Sequence, residues 1–236
     1  MPVIPTAAPE GAGWRGQALA ALVVLALAGS GAAQAGRSCE PRKPTPQLIE
    51  RGLQLAERTA AALDAEHARH GTQVVVLARA GQDLSRHGLR YSHLGWAYRT
   101  PQGPWRVVHK LNECGTAVGA VYRQGLGMVS YPWSTKYQQS NQWAIETLAA
   151  AMEPATVRTR DQAQAWLRWK GYEPTVLKIG ALTRLGGRVT AANVAFDDHP
   201  DSERFANRIA TVTVDSTLAW LQRAQLASPP VVLPPP

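Results

Sequence analysis

Residues 91–111 restrict the fold more than any other stretch of the chain. They read YSHLGWAYR, then TPQGP, then WRVVHKL. Aromatic and β-branched residues crowd both flanking runs, and the residues between them are turn formers, which is the pattern of a β-hairpin. Side chains alternate faces along a strand. If the turn pairs Arg99 with Trp105, the ladder puts His93 opposite Leu111 and diagonal to His109. Both imidazoles then share a face with Gly95, Val107 and Leu111, and a slip of one residue would separate them. Two readings of the pair stay open: half-buried histidines satisfied by the backbone, or members of a site.

The segments around the hairpin supply helices. Leu48, Ile49, Leu53, Leu55, Ala56, Ala60 and Leu63 recur at helical spacing. That predicts a helix opening at Pro46, which suits a first turn, and closing near Gly71. Val74-Val75-Val76-Leu77 reads as a short buried strand, residues 81–88 as a polar loop, and residues 128–133 as a further strand. Helices are expected from Ser140 or Asn141 to about Met152, and from Thr159 to Gly171. A strand over 175–179, a short strand over 211–214 and a helix from Asp215 or Ser216 to about Ala224 complete the pattern. The expected class is α+β, a small antiparallel sheet flanked by helices.

The ends of the chain differ in composition. Arg15 precedes an apolar run over residues 18–28 and a small-residue stretch ending in Ala33-Gln34-Ala35. Basic, apolar and small segments in that order form a secretory signal, and the run is shorter than the roughly 20 residues that cross a bilayer. The expected organisation is a signal over 1–35, an extended arm over 36–46, one domain over 47–226 and a Pro-rich disordered or polyproline tail over 227–236. The chain carries a net charge of +8. The charges are scattered without interleaved aromatics, which argues against a nucleic-acid reader. An exported basic chain points instead to the periplasm and to a cell-envelope component as partner. Cys39 and Cys114 are the two cysteines. In an oxidising compartment they are expected to pair, closing a loop worth roughly 4 kcal/mol; the rival reading makes Cys114 a free nucleophile.

No Gly-rich phosphate loop, CxxC, HExxH or GxSxG occurs, and no cofactor is expected. Chemistry must then come from isolated polar residues. His93 and His109 are one group. Asn112-Glu113-Cys114 follows the hairpin. The run STKYQQSNQW over 134–143 opens a helix, where a nucleophile gains from the positive end of the dipole; simple capping by Ser140 or Asn141 explains the same residues. Asp197, Asp198, His199 and Asp201 could hold a divalent metal, but Pro200 and the adjacent aspartates read better as a turn.

Several of these segments carry a resemblance. YSHLGWAYR, GPWRVVHKLNECGTA, STKYQQSNQWAIETLAAA, GALTRLGGRVTAANVAFDDHP and RIATVTVDS resemble the bacterial proteins grouped as domain of unknown function 2145. The resemblance runs from about Pro46 to Leu221. The family pattern has a longer segment where Gly127 here runs almost directly into Tyr131. More distantly, a strand with Ser92-His93-Leu94-Gly95, a second strand and a polar helix start are similar to circularly permuted papain-like hydrolases of the NlpC type. That likeness implies His93 as base, His109 or Asn112 as its orienting partner, and a Cys at the helix start. Here Ser140 and Asn141 stand in that region, and no Cys does. The expected function is an exported envelope domain of unknown role, non-catalytic or degenerate papain-like. The alternative is an envelope amide or ester hydrolase with His93 as base and Ser140 or Cys114 as nucleophile.

The export reading makes a direct prediction. Mass spectrometry of protein recovered from cells should find Gly36 at the N-terminus; mature protein that retains Met1 would defeat the signal assignment.

Overall fold

The computed structural model describes residues 44–81, 83–110, 125–126, 129–190 and 194–235. Helix α1, Pro46–His70, begins where the Thr45 hydroxyl accepts from the Leu48 N–H at 3.2 Å. It ends at Gly71, whose φ of 68° suits a residue without Cβ. His67, Arg69 and His70 in its last turn complement the helix dipole. No α1 residue is fully buried. The helix is pinned instead through Asp64, which accepts from Arg99 Nη1 at 3.0 Å and Trp105 Nε1 at 3.1 Å.

Strands β1 (Val74–Arg79), β2 (His93–Arg99) and β3 (Trp105–Val108) form an antiparallel sheet in that order. Arg99 pairs with Trp105 and Trp96 with Val108, so the hairpin has the register its turn implied. On the other side of β2, Val75 pairs with Ala97 and Arg79 with His93. Two further pairs are small: β4 (Gly125–Leu126) runs parallel to β5 (Tyr137–Gln138), and β6 (Thr175–Lys178) antiparallel to β7 (Arg208–Thr211).

Helices α2 (Ser140–Met152), α3 (Arg160–Trp169), α4 (Ala181–Thr190), α5 (Asp201–Phe205) and α6 (Val214–Arg223) complete the chain. Thr159 and Thr213 each open their helix with a capping box, reciprocated by Gln162 and Ser216. The core joins one sheet face to α2, α3 and α6. Leu94, Ala144, Ile145, Leu167, Val212 and Trp220 are almost fully enclosed. Trp166, Trp220, Tyr172 and Trp133 interlock edge to face, with centroids 5.5 to 6.3 Å apart. A smaller cluster gathers Leu177, Phe196 and Ile209. The architecture is the expected α+β class with small antiparallel sheets and flanking helices. Among the described residues, no helix is long and apolar enough to cross a membrane.

Two local expectations fail for physical reasons, and one helix was not foreseen. Residues 129–136 form turns, not a strand. There the Tyr131 N–H is taken by the Asp198 carboxylate at 2.7 Å, not by a ladder. The last strand lies earlier than 211–214, at Arg208–Thr211, because Thr213 is the cap of α6. Helix α4 escaped notice because its polarity is inverted. Leu182 and Leu185 face solvent, whereas Arg184 turns inward to Ile179 O and to Asn207 Oδ1.

A buried ion pair ties these parts together. Arg160, the first residue of α3, donates from Nε and Nη2 to the two Glu146 carboxylate oxygens at 2.8 and 3.1 Å. Its remaining donors reach the carbonyls of Thr135, Tyr137 and Ser134 at 2.7, 2.9 and 3.3 Å. Removing one partner strands a buried charge. Arg160→Leu should therefore cost about 3–5 kcal/mol in urea unfolding. The double variant Arg160→Leu/Glu146→Met should recover part of that loss; a single variant as stable as the parent would show that the pair does not hold the loop.

Candidate functional site

Alternation divides the hairpin residues between two environments. Leu94 and Trp96 face α2, where the Trp96 indole donates to the Ala144 carbonyl at 3.3 Å. His93, Gly95 and Ala97 therefore point to the other side of the sheet. On that side the His93 and His109 rings meet edge-on, with centroids 5.8 Å apart and planes at 60°. Gly95 makes room: a Cβ there would stand 3.3 Å from His109 Cβ and 3.1 Å from the Val108 carbonyl.

The hydrogen bond that orients His93 comes from its own neighbour. Ser92 Oγ lies 2.6 Å from His93 Nδ1 and accepts from the Gly81 N–H at 3.0 Å. The sequence reading had offered His109 or Asn112 for that role. His109 supplies a ring contact instead, and Asn112 and Cys114 lie outside the described residues. Burial holds the His93 and His109 pKa values below the ordinary histidine range, and the Arg79 guanidinium adds to the effect on both. The imidazoles are accordingly uncharged at neutral pH.

The helix start on the opposite side is a packed junction. Gln139, not Ser140 or Asn141, is the N-cap residue of α2, and its side chain does not cap. Gln139 Nε2 donates to Thr211 Oγ1 at 2.6 Å and to the Val212 carbonyl at 2.9 Å. Asn141 Nδ2 reaches the same carbonyl at 3.3 Å, and Gln142 Nε2 the carbonyls of Pro132 and Tyr131 at 3.2 and 3.3 Å. All three side chains are buried. Asn141 Oδ1 and Gln142 Oε1 have no hydrogen-bond partner among the described residues. Ser140 is the first residue of this helix, and His93 is on the sheet face opposite to Leu94 and Trp96, which meet the middle of the helix.

Beneath the junction is a polar network that sequence reading passed over. Lys110 Nζ donates to Gln138 Oε1 at 2.7 Å. Gln138 Nε2 in turn donates to Glu146 Oε2, and Gln164 Nε2 to Glu146 Oε1 at 2.9 Å. Burial, with repulsion from Arg160, pushes the Lys110 pKa down to about 8, against an opposing pull from Glu146. The available signal was a lone carboxylate in the otherwise apolar run WAIETLAAA, since an unpaired acid is rarely buried.

The acidic loop at 197–201 does not converge on one point. Asp197 accepts from Lys136 Nζ at 2.7 Å. Asp198 accepts from the Tyr131 N–H and lies 2.9 Å from His199 Nδ1, whose Nε2 meets the Ala210 carbonyl at 2.9 Å. Asp201 pairs with Arg204. Each of these side chains is taken up by a structural contact. Among the described residues, no group of three His, Cys, Asp or Glu could hold a metal ion.

The depressed histidines predict a pH dependence. Their folded pKa values lie below the unfolded value of 6.5, so the unfolded chain takes up protons first. Stability is then highest above 6.5 and falls as the pH drops through it. Urea unfolding from about pH 7.5 to about pH 5.5 should show that loss, and His93→Asn/His109→Asn should show a smaller one. Equal losses in parent and variant would place both imidazoles in water.

Comparison with known proteins gives one positive result. The sequence pattern of a bacterial family described as "Uncharacterized protein conserved in bacteria (DUF2145)" matches residues 66–128 and 127–221. The two stretches meet at Gly127 and Met128, where the sequence reading put a shortened connection. No curated protein and no solved structure matches significantly, so the papain-like likeness rests on its sequence pattern alone. The family stretches together span most of the chain, including the hairpin and the α2–α3 junction: this chain belongs to the DUF2145 family of uncharacterised bacterial proteins.

Proposed function

We propose that the chain is an exported, non-catalytic domain of the cell envelope, on a papain-like plan whose helix start has been given over to packing. One observation carries the reading: Gln139, Asn141 and Gln142 occupy the first turn of α2 and are buried against backbone carbonyls of the neighbouring segments. A catalytic helix start needs an accessible nucleophile within reach of its base. Here the residues around the turn are amides and one serine, with no cysteine in 134–152, and His93 lies on the far face of the sheet. Export rests on the N-terminal pattern, and the +8 charge suits an anionic envelope partner.

One feature favours the hydrolase as a second reading. His93 is an uncharged imidazole held by Ser92 at 2.6 Å, and such a ring could accept a proton. Its nucleophile would then be Cys114.

Activity-based labelling separates the two. Purified protein treated with serine- and thiol-reactive probes should show no labelling at Ser140 or Cys114 beyond that of denatured controls. Stoichiometric labelling of either residue that disappears in His93→Ala, while the melting temperature holds, would overturn the non-catalytic reading.

A further inference from the structure

We propose that Arg79, His93 and His109 form a binding site for a small oxyanion, a phosphate or carboxylate group. The three residues stand at the ends of three neighbouring strands, His109 one residue past the last of them. Arg79 ends β1 and is paired in register with His93, which opens β2; His109 follows β3 and lies against the His93 ring. A single point of space relates the first two. A Cβ on Gly81 would sit 3.3 Å from His93 Nδ1, 3.5 Å from Arg79 Cζ and 3.2 Å from Ser92 Oγ. The glycine therefore lets the loop close over the guanidinium and the imidazole together.

The cluster holds a guanidinium and, among the described residues, no carboxylate to answer it. Acids elsewhere in the chain have partners of their own. Asp83 accepts from the Ser85 N–H, Asp64 from Arg99 and Trp105, and Asp215 from the Arg90 N–H. Arg86 in the same loop donates to His87. Nε2 of His109 is buried and has no hydrogen-bond partner among the described residues. Burial first and the Arg79 guanidinium second depress both imidazoles, and a bound anion would offset the Arg79 contribution.

Ligand chemistry follows from that imbalance. An oxyanion offers the acceptors that a guanidinium fork and imidazole N–H groups lack, and charge-assisted bonds of this kind are the strong ones. A divalent cation would sit beside Arg79 with no carboxylate to offset the repulsion. An uncharged ligand would leave the guanidinium unanswered. The site does not depend on whether the domain is catalytic, so its failure would leave the preceding proposal standing.

Inorganic phosphate is the probe. Titrated into the full mature chain and followed by NMR of the imidazole rings, it should shift both histidines saturably and raise their titration midpoints. Arg79→Gln should weaken the effect about tenfold or more, and Arg79→Lys by less. Gly95→Ala, which crowds His109 without changing charge, should weaken it too. A second arm replaces phosphate with vesicles of anionic phospholipid: binding that free phosphate displaces assigns the site to a lipid headgroup, and phosphate binding without vesicle binding assigns it to a soluble anion. Absence of a saturable shift would overturn the proposal. So would a shift of the same size in Arg79→Gln with the fold intact, or zinc ion binding that displaces phosphate.

Discussion

Arg160 resting on Glu146 is the contact on which the rest of the structure depends. The guanidinium spends its donors on one carboxylate and three backbone carbonyls. It thereby fixes the turn before β5, the middle of α2 and the start of α3 with a single side chain. A surface pair of this kind would be worth little. Glu146 is only 5% exposed, so each partner is costly to leave alone; Gln138 and Gln164 supply further hydrogen bonds to the carboxylate, and Lys110 donates to Gln138 behind them. The turn that enters β5 then has a defined path, and α2 is seated against Leu94 and Trp96.

Seating α2 decides what the sheet can offer on its other face. Once Leu94, Trp96 and Lys110 face the helix, alternation must turn His93, Gly95 and His109 away from it. The face of β2 that carries Leu94 and Trp96 meets α2, and the histidine pair occupies the other face. What is left on the histidine face is a different chemistry: two uncharged imidazoles beside a guanidinium, with glycines at positions 81 and 95 permitting the close approach.

Much of this was legible in the sequence, and the exceptions share a cause. The TPQGP turn set the register of the hairpin, so the approach of His93 to His109 could be read without coordinates. Thr159, Gly71 and the 3.6-residue spacing marked α1, α2 and α3 closely. Where the reading failed, tertiary contacts had overridden local pattern. Helix α4 exposes its leucines and buries Arg184, so its amphipathic pattern points the wrong way. Ser140 looked like a cap, yet Gln139 holds that position because its amide is drawn to Thr211 and Val212. Glu146, Arg160 and Lys110 come from separate segments, and the one local sign of their network was the lone carboxylate in WAIETLAAA.

The division of the sheet into a helix face and a histidine face can be examined in solution. In a nuclear Overhauser spectrum of the mature protein, the Trp96 indole should show cross-peaks to Ala144 and Ile145. The His93 ring protons should show them to His109 and to Gly95 and none to residues 140–143. Cross-peaks from His93 to Ser140 or to Gln142 would contradict the account, because they would put the imidazole back at the helix start.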